Sequence, residues 1–137
     1  KEGQRLIDNF LSSMTALKRV RDGVTKAWAK GKIKGIDGRL LHIRSAHSAL
    51  NTLLQGAGAV VCKIWLINIM TRVRTLGLDA KLVASIHDEY QFEVLNTDVK
   101  KFGQITKDAM KDTEKQLQMK CPLDSEWKVG KTWAETH

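Results

Sequence analysis

Leu82-Val83-Ala84-Ser85-Ile86-His87-Asp88-Glu89-Tyr90-Gln91-Phe92-Glu93-Val94 is the stretch that decides the fold. Leu82–Ile86 is a short β-prone run, and Tyr90–Val94 alternates apolar with polar as a half-buried strand does. His87-Asp88-Glu89 between them reads as a hairpin tip, acidic where Asn-Gly is usual. Two adjacent carboxylates on a tip repel each other unless a cation relieves them. Hard divalent ions such as Mg²⁺ prefer carboxylate oxygens and keep positions open for phosphate. As a bare tripeptide, the same residues also fit an ordinary solvated turn.

Working outward, Thr97-Asp98 predicts the cap of a helix carrying Val99, Phe102, Ile105, Ala109, Met110 and Leu117 on one face. Beyond Pro122, alternation of Leu123, Ser125, Trp127 and Val129 with charged residues predicts a last strand. Upstream, Ser45 or Ser48 is expected to cap a long helix running to about Leu76, with Gly77 as its stop. Its apolar residues cover so much of the circumference that burial is expected. Gly56 and Gly58 within it cost about 1 kcal/mol each against Ala, which packing, close approach or plain tolerance would explain. His47, Asn51 and Gln55, spaced four apart, predict one polar stripe on that helix. The amides can read base edges and sugars. They can equally face solvent or cap a neighbouring loop.

Gly35-Ile36-Asp37-Gly38 between Lys32-Ile33-Lys34 and Leu40-Leu41-His42-Ile43 predicts a second, shorter hairpin. Residues 1–30 predict two helices separated at Ser12-Ser13. The second sets Leu17, Val20, Val24 and Trp28 against Lys18, Arg19, Arg21 and Lys26. The expected architecture is α+β, a small antiparallel sheet with packed helices and a basic helical arm at the N-terminus.

With 137 residues, 42% hydrophobic and 28% charged, the chain is a one-domain globular length rather than a disordered tail. Cys62 and Cys121 are too far apart for a CxxC pair, which argues against a disulfide framework or structural zinc and for a reducing compartment. No signal-peptide core follows Lys1-Glu2-Gly3-Gln4-Arg5. Asn51, Gln55, Lys63 and Asn68 interrupt the run from Ala49 to Met70, so no membrane span is expected. The net charge of +8 is lopsided. Residues 1–74 hold 14 Lys/Arg against 4 Asp/Glu, and the remainder 9 against 11. The first half is a surface suited to polyanions, or a basic solvated one with no ligand.

The run Gly38-Arg39, then Arg44-Ser45-Ala46-His47-Ser48-Ala49-Leu50-Asn51-Thr52-Leu53-Leu54-Gln55-Gly56-Ala57-Gly58-Ala59, followed by Ile86-His87-Asp88-Glu89, resembles the C-terminal part of an A-family DNA polymerase, in its phage replicative branch. Trp133-Ala134-Glu135-Thr136-His137 resembles that family's terminus. The resemblance implies a palm-type sheet. Residues 1–30 would end the fingers subdomain, and 31–137 would be the C-terminal part of the palm. It implies that Asp88 and Glu89 are catalytic carboxylates, Asp88 as a ligand of a two-Mg²⁺ site and Glu89 as an auxiliary group. His87 would lie by the primer's terminal nucleotide, and Asn51 and Gln55 would contact the template–primer. His47 stands where relatives carry a basic residue, and Arg44 would meet phosphate.

The family's other metal-binding Asp motif and its nucleotide-binding helix are not matched here, nor is an exonuclease carboxylate set. Two metals about 3.5–4 Å apart need clamping from both sides, so the site is only partly supplied. The expected function is therefore a C-terminal fragment or split subunit of a template-directed DNA polymerase, inactive alone. Its partners would be primer-template DNA, deoxynucleoside triphosphates and an N-terminal polymerase part, in the cytoplasm of a bacterial or phage-infected cell. Opening on Lys1 and not on Met fits a processed product or a piece cut from something longer. The alternative is a non-catalytic nucleic-acid-binding module that keeps the fold.

Overall fold

A computed structural model describes residues 2–136; Lys1 and His137, the last residue of the terminal motif, lie outside the described residues. The chain divides after Ala57 into two compact units. The first holds helices α1 (Glu2–Ser13) and α2 (Thr15–Trp28), the hairpin β1 (Lys32–Lys34) and β2 (Leu40–His42), and the start of α3 (Ala49–Thr75). The second holds the rest of α3, the hairpin β3 (Ala80–Ile86) and β4 (Glu89–Val94), helix α4 (Val99–Gln116) and the terminal turn α5 (Trp133–Thr136). Mixed helix with two small antiparallel sheets is α+β, as expected.

In the first unit, the break between α1 and α2 falls at Met14, whose backbone leaves the helical region at φ −113° and ψ 70°. Ser12 and Ser13 do not cap α2. Their hydroxyls donate back to the carbonyls of Asn9 and Phe10 at 2.7 Å, which closes the last turn of α1 instead. Val24 is buried with Ile43 and Ala49, and Ala27, Ile33 and Leu53 pack around them. The α1 residues Leu6, Ile7 and Phe10 are each more than half exposed. The β1–β2 hairpin pairs Lys32 with His42 and Lys34 with Leu40, and its turn uses a positive φ of 85° at Gly38. Gly56 answers its own question: a Cβ there would lie 2.9 Å from Leu41 Cδ1, so α3 passes close over β2. Gly58 has open space, and nothing in its surroundings requires glycine.

In the second unit, Trp65, Ile69 and Val73 of α3 bury against Ala109 and Met110 of α4 and Ala80 of β3. Two polar residues of α3 find partners on α4. Asn68 Nδ2 donates to Thr113 Oγ1 at 3.0 Å, and Arg72 Nε donates to Asp112 Oδ2 at 2.9 Å. The Trp65 indole donates to the Thr106 carbonyl at 2.8 Å. Gly77 takes φ 62° just past the helix, and the Leu78 N–H reaches back to the Val73 carbonyl, the left-handed stop the sequence predicts. The expected burial of α3 is incomplete. Leu54 is 55% and Ile67 62% exposed, because an all-round apolar helix is covered here along a stripe only. By length and composition α3 could also cross a membrane, against the sequence expectation. Its packed stripe and its polar pairs with α4 are those of a core helix in a globular fold.

Two other expectations are corrected. Asp98 sits at the N-cap of α4 but makes no side-chain cap bond. Residues 123–129 carry the alternation of a strand yet form none. Alternation encodes two faces, whereas a strand also needs a neighbour for its backbone groups, and among the described residues β3 and β4 pair only with each other. The segment is held by side chains instead: Glu114 Oε2 accepts the Leu123 N–H at 2.7 Å. The Trp127 ring lies on Gly103, where a Cβ would come within 2.3–2.7 Å of ring carbons. Gly103→Ala should therefore destabilise the unit by about 1–3 kcal/mol despite a better helix propensity, with Trp127 displaced. Denaturant unfolding followed by tryptophan emission checks this; unchanged or higher stability would show that the segment gives way freely.

Candidate functional site

The β3–β4 register pairs Ile86 with Glu89, so His87 and Asp88 are the two residues of a tight turn. His87 has φ 54°, a left-handed value that favours glycine and that histidine adopts more readily than most side chains. Holding a non-glycine residue there costs on the order of 1 kcal/mol, and such strain clusters at functional sites. His87 and Asp88 are exposed; Glu89, the first residue of β4, is half-buried. A bulge at Val83, between the Leu82–Phe92 and Ala84–Gln91 pairs, re-aims the tip half of the hairpin.

The base of that half is anchored by Tyr90, whose ring lies 5.3 Å from the Trp65 ring at 49°. Burial pushes the Cys62 thiol on α3 above its ordinary value, and the Asp88 carboxylate is near enough to add to that shift. Burial likewise raises the Tyr90 phenol, with Cys62 adding to it. The acid on the tip is thus felt by the middle of α3. Glu89 faces other company. Its Oε1 accepts the Trp133 indole N–H at 3.1 Å and an amide N–H of Gln91. Adjacent in sequence, the two carboxylates have different surroundings: Asp88 stands on the exposed turn, and Glu89 is tied to the chain's last turn.

The donor chemistry suits a hard divalent cation, but the number does not complete a site. Among the described residues no three His, Cys, Asp or Glu side chains are grouped so as to hold an ion. A cleft of about 770 Å³ opens beside β4 and is lined by Glu89, Gln91, Phe102, Trp127 and Trp133, not by His87 or Asp88. Shape alone would point to the cleft; the strained acidic turn points to the tip.

The first unit presents a different surface. Asn51 and Gln55 are exposed on the first two turns of α3. His47 is exposed but does not share their stripe, because α3 begins at Ala49 and His47 lies in the preceding turn. That turn is closed by serines. Ser45 Oγ donates to Ser48 Oγ at 2.8 Å, and Ser48 Oγ reaches the Ser45 carbonyl at 3.0 Å. Arg44 is exposed in the loop after β2, and Lys18, Arg19 and Lys26 are exposed on α2. Arg21 is half-buried and paired with Asp22. Sequence reasoning missed Trp133 as a neighbour of Glu89, since no periodicity links residues 44 apart; Gln91, two positions along β4, shares the face of Glu89 by strand alternation, a signal that was in the sequence.

Comparison with known proteins bears on both surfaces. The model of DNA polymerase family A matches residues 1–135. The chain is 33% identical over its whole length to a DNA-directed DNA polymerase of Enterobacteria phage T3 and 31% identical to that of Escherichia phage T7, spanning 23% of each. It is 28% identical to DNA polymerase I of Aquifex aeolicus. In fold it is similar to the POL domain of an M. smegmatis polymerase in complex with DNA primer-template and dNTP, with a TM-score of 0.73, 21% identity, and 91% of this chain and 23% of that one covered. A family match over residues 1–135 of the 137 is decisive: the chain belongs to DNA polymerase family A.

Proposed function

We propose that this chain is the C-terminal part, or a split subunit, of a template-directed DNA polymerase acting in DNA replication. The observation that carries the reading is the hairpin tip: an exposed carboxylate on a strained two-residue turn, in a chain that the family's model matches over residues 1–135. In this reading Asp88 is a metal ligand, Glu89 an auxiliary carboxylate, and His87 a neighbour of the primer's terminal nucleotide. Asn51, Gln55, His47 and Arg44 contact primer-template DNA. Residues 1–30 end the fingers and 31–137 belong to the palm. Mg²⁺, held in part by Asp88, would supply Lewis-acid activation and charge compensation for nucleotidyl transfer. The chain's own share is to hold the Asp88 carboxylate on a rigid hairpin braced by Tyr90 and Trp65, and to position duplex with exposed amides and cations.

An N-terminal polymerase part supplies the second clamping carboxylate and the nucleotide-binding helix. The strand-like segment 123–129, which pairs with no strand among the described residues, supports such a missing neighbour. The setting is the interior of a bacterial or phage-infected cell. A non-catalytic binding module is the second reading. The acid pair favours the first, because carboxylates beside phosphate weaken simple binding.

Binding of a fluorescent primer-template should be independent of sequence and fall steeply with salt. Replacing Lys18, Arg19 and Lys26 with Ala should reduce the magnitude of the log–log salt slope by roughly 2–3, since each phosphate contact contributes about 0.9. Gln55→Ala should weaken binding by about 1 kcal/mol with the slope unchanged. Anisotropy titrations at several salt concentrations decide this; equal slope changes in both variants would overturn the division of roles.

A further inference from the structure

The terminal turn is built to one shape. Glu135 Oε2 accepts the Lys131 N–H at 2.7 Å, and the Thr136 hydroxyl donates to the Trp133 carbonyl at 3.0 Å. A Cβ at Gly130 would lie 2.5 Å from that of Glu135, so the chain folds back tightly there. This turn then grips β4 at two alternate residues. Trp133 Nε1 donates to Glu89 Oε1 at 3.1 Å, and the Thr136 hydroxyl, its one proton shared between the Trp133 carbonyl and Gln91 Oε1, lies 3.2 Å from the latter. Glu89 and Gln91 share one face of the strand, and a Gln91 amide N–H also reaches Glu89 Oε1. Trp133, Gln91 and Thr136 thus form a connected network that ends on a carboxylate next to Asp88.

We infer that Trp133–Thr136 is a clasp and that Trp133 is a positioning residue, fixing the Glu89 side chain so that the carboxylate beside the metal ligand has one orientation. This rests on the polymerase reading for its consequence, but not for the clasp itself. Removing a hydrogen-bond partner behind a metal-proximal group commonly weakens metal use without touching substrate.

Two measurements test it. In the ¹⁵N-labelled 137-residue chain, the Trp133 indole resonance is assigned by its loss in Trp133→Phe. Glu89→Ala should shift that resonance and speed its exchange with water about tenfold, and Glu89→Gln, which keeps an acceptor oxygen, should restore most of the protection. In the mixture with the N-terminal polymerase part, Trp133→Phe should raise the Mg²⁺ concentration for half-maximal primer extension about tenfold, with primer-template affinity within about twofold of wild type. An indole resonance indifferent to Glu89→Ala overturns the clasp. An intact indole signature with an unchanged Mg²⁺ requirement in Trp133→Phe overturns the positioning role. A wild-type mixture that extends no primer sinks the polymerase reading instead, while the indole signature still decides the clasp.

Discussion

In a reconstituted polymerase, Asp88→Asn should reduce primer extension by about 10²–10⁴-fold, the rate equivalent of the several kcal/mol that metal-assisted charge stabilisation supplies. The substitution keeps the size and the turn and deletes only the charge. Asp88 is exposed on a two-residue turn, so its replacement should leave folding intact. Glu89→Gln should act more mildly, because an amide oxygen still accepts the Trp133 indole. His87→Ala should weaken primer engagement and leave the Mg²⁺ dependence unchanged. Steady-state extension assays with varied primer and varied Mg²⁺ separate these three outcomes. An Asp88→Asn rate near wild type would remove Asp88 from the chemistry.

The second large effect is on stability. Trp65→Ala should cost about 3–5 kcal/mol, since it empties a buried site and leaves the Thr106 carbonyl without its indole donor. Trp65→Phe should cost less, because it keeps a ring against Tyr90 and loses mainly the hydrogen bond. The two variants therefore distinguish packing from polar satisfaction. Denaturant midpoints by circular dichroism give the comparison. A Trp65→Ala chain as stable as Trp65→Phe would mean that the ring does not brace the hairpin.

The hairpin tip was legible because its signals are local. An apolar run, an alternating run and the residues between them fix strand, turn and strand within a dozen positions. Gly77 was legible for the same reason, as the one residue able to end α3 in a left-handed conformation cheaply. His47 was misplaced onto α3 because four-residue spacing is blind to the Ser45–Ser48 turn that delays the helix to Ala49. Residues 123–129 read as a strand because alternation reports two faces and not the presence of a pairing neighbour. Asp98 had the right residue type for a cap, yet its side chain makes no cap bond. The Glu89–Trp133 contact lay beyond reach, since it joins residues 44 apart whose local sequences carry no matching pattern. The candidate carboxylates were thus visible in three consecutive residues, and the contacts around them only in the folded chain.

Complementation separates a polymerase part from a self-sufficient enzyme or a plain binding module. Primer extension is measured for this chain alone, for a polypeptide carrying the N-terminal polymerase part alone, and for their mixture, over a range of Mg²⁺. This chain alone should give no extension at any Mg²⁺ concentration, because its described residues group no complete metal site, and the mixture should give template-directed extension. Robust extension by this chain alone, or none by a mixture whose two parts demonstrably bind each other and DNA, would contradict the reading of the chain as a polymerase part.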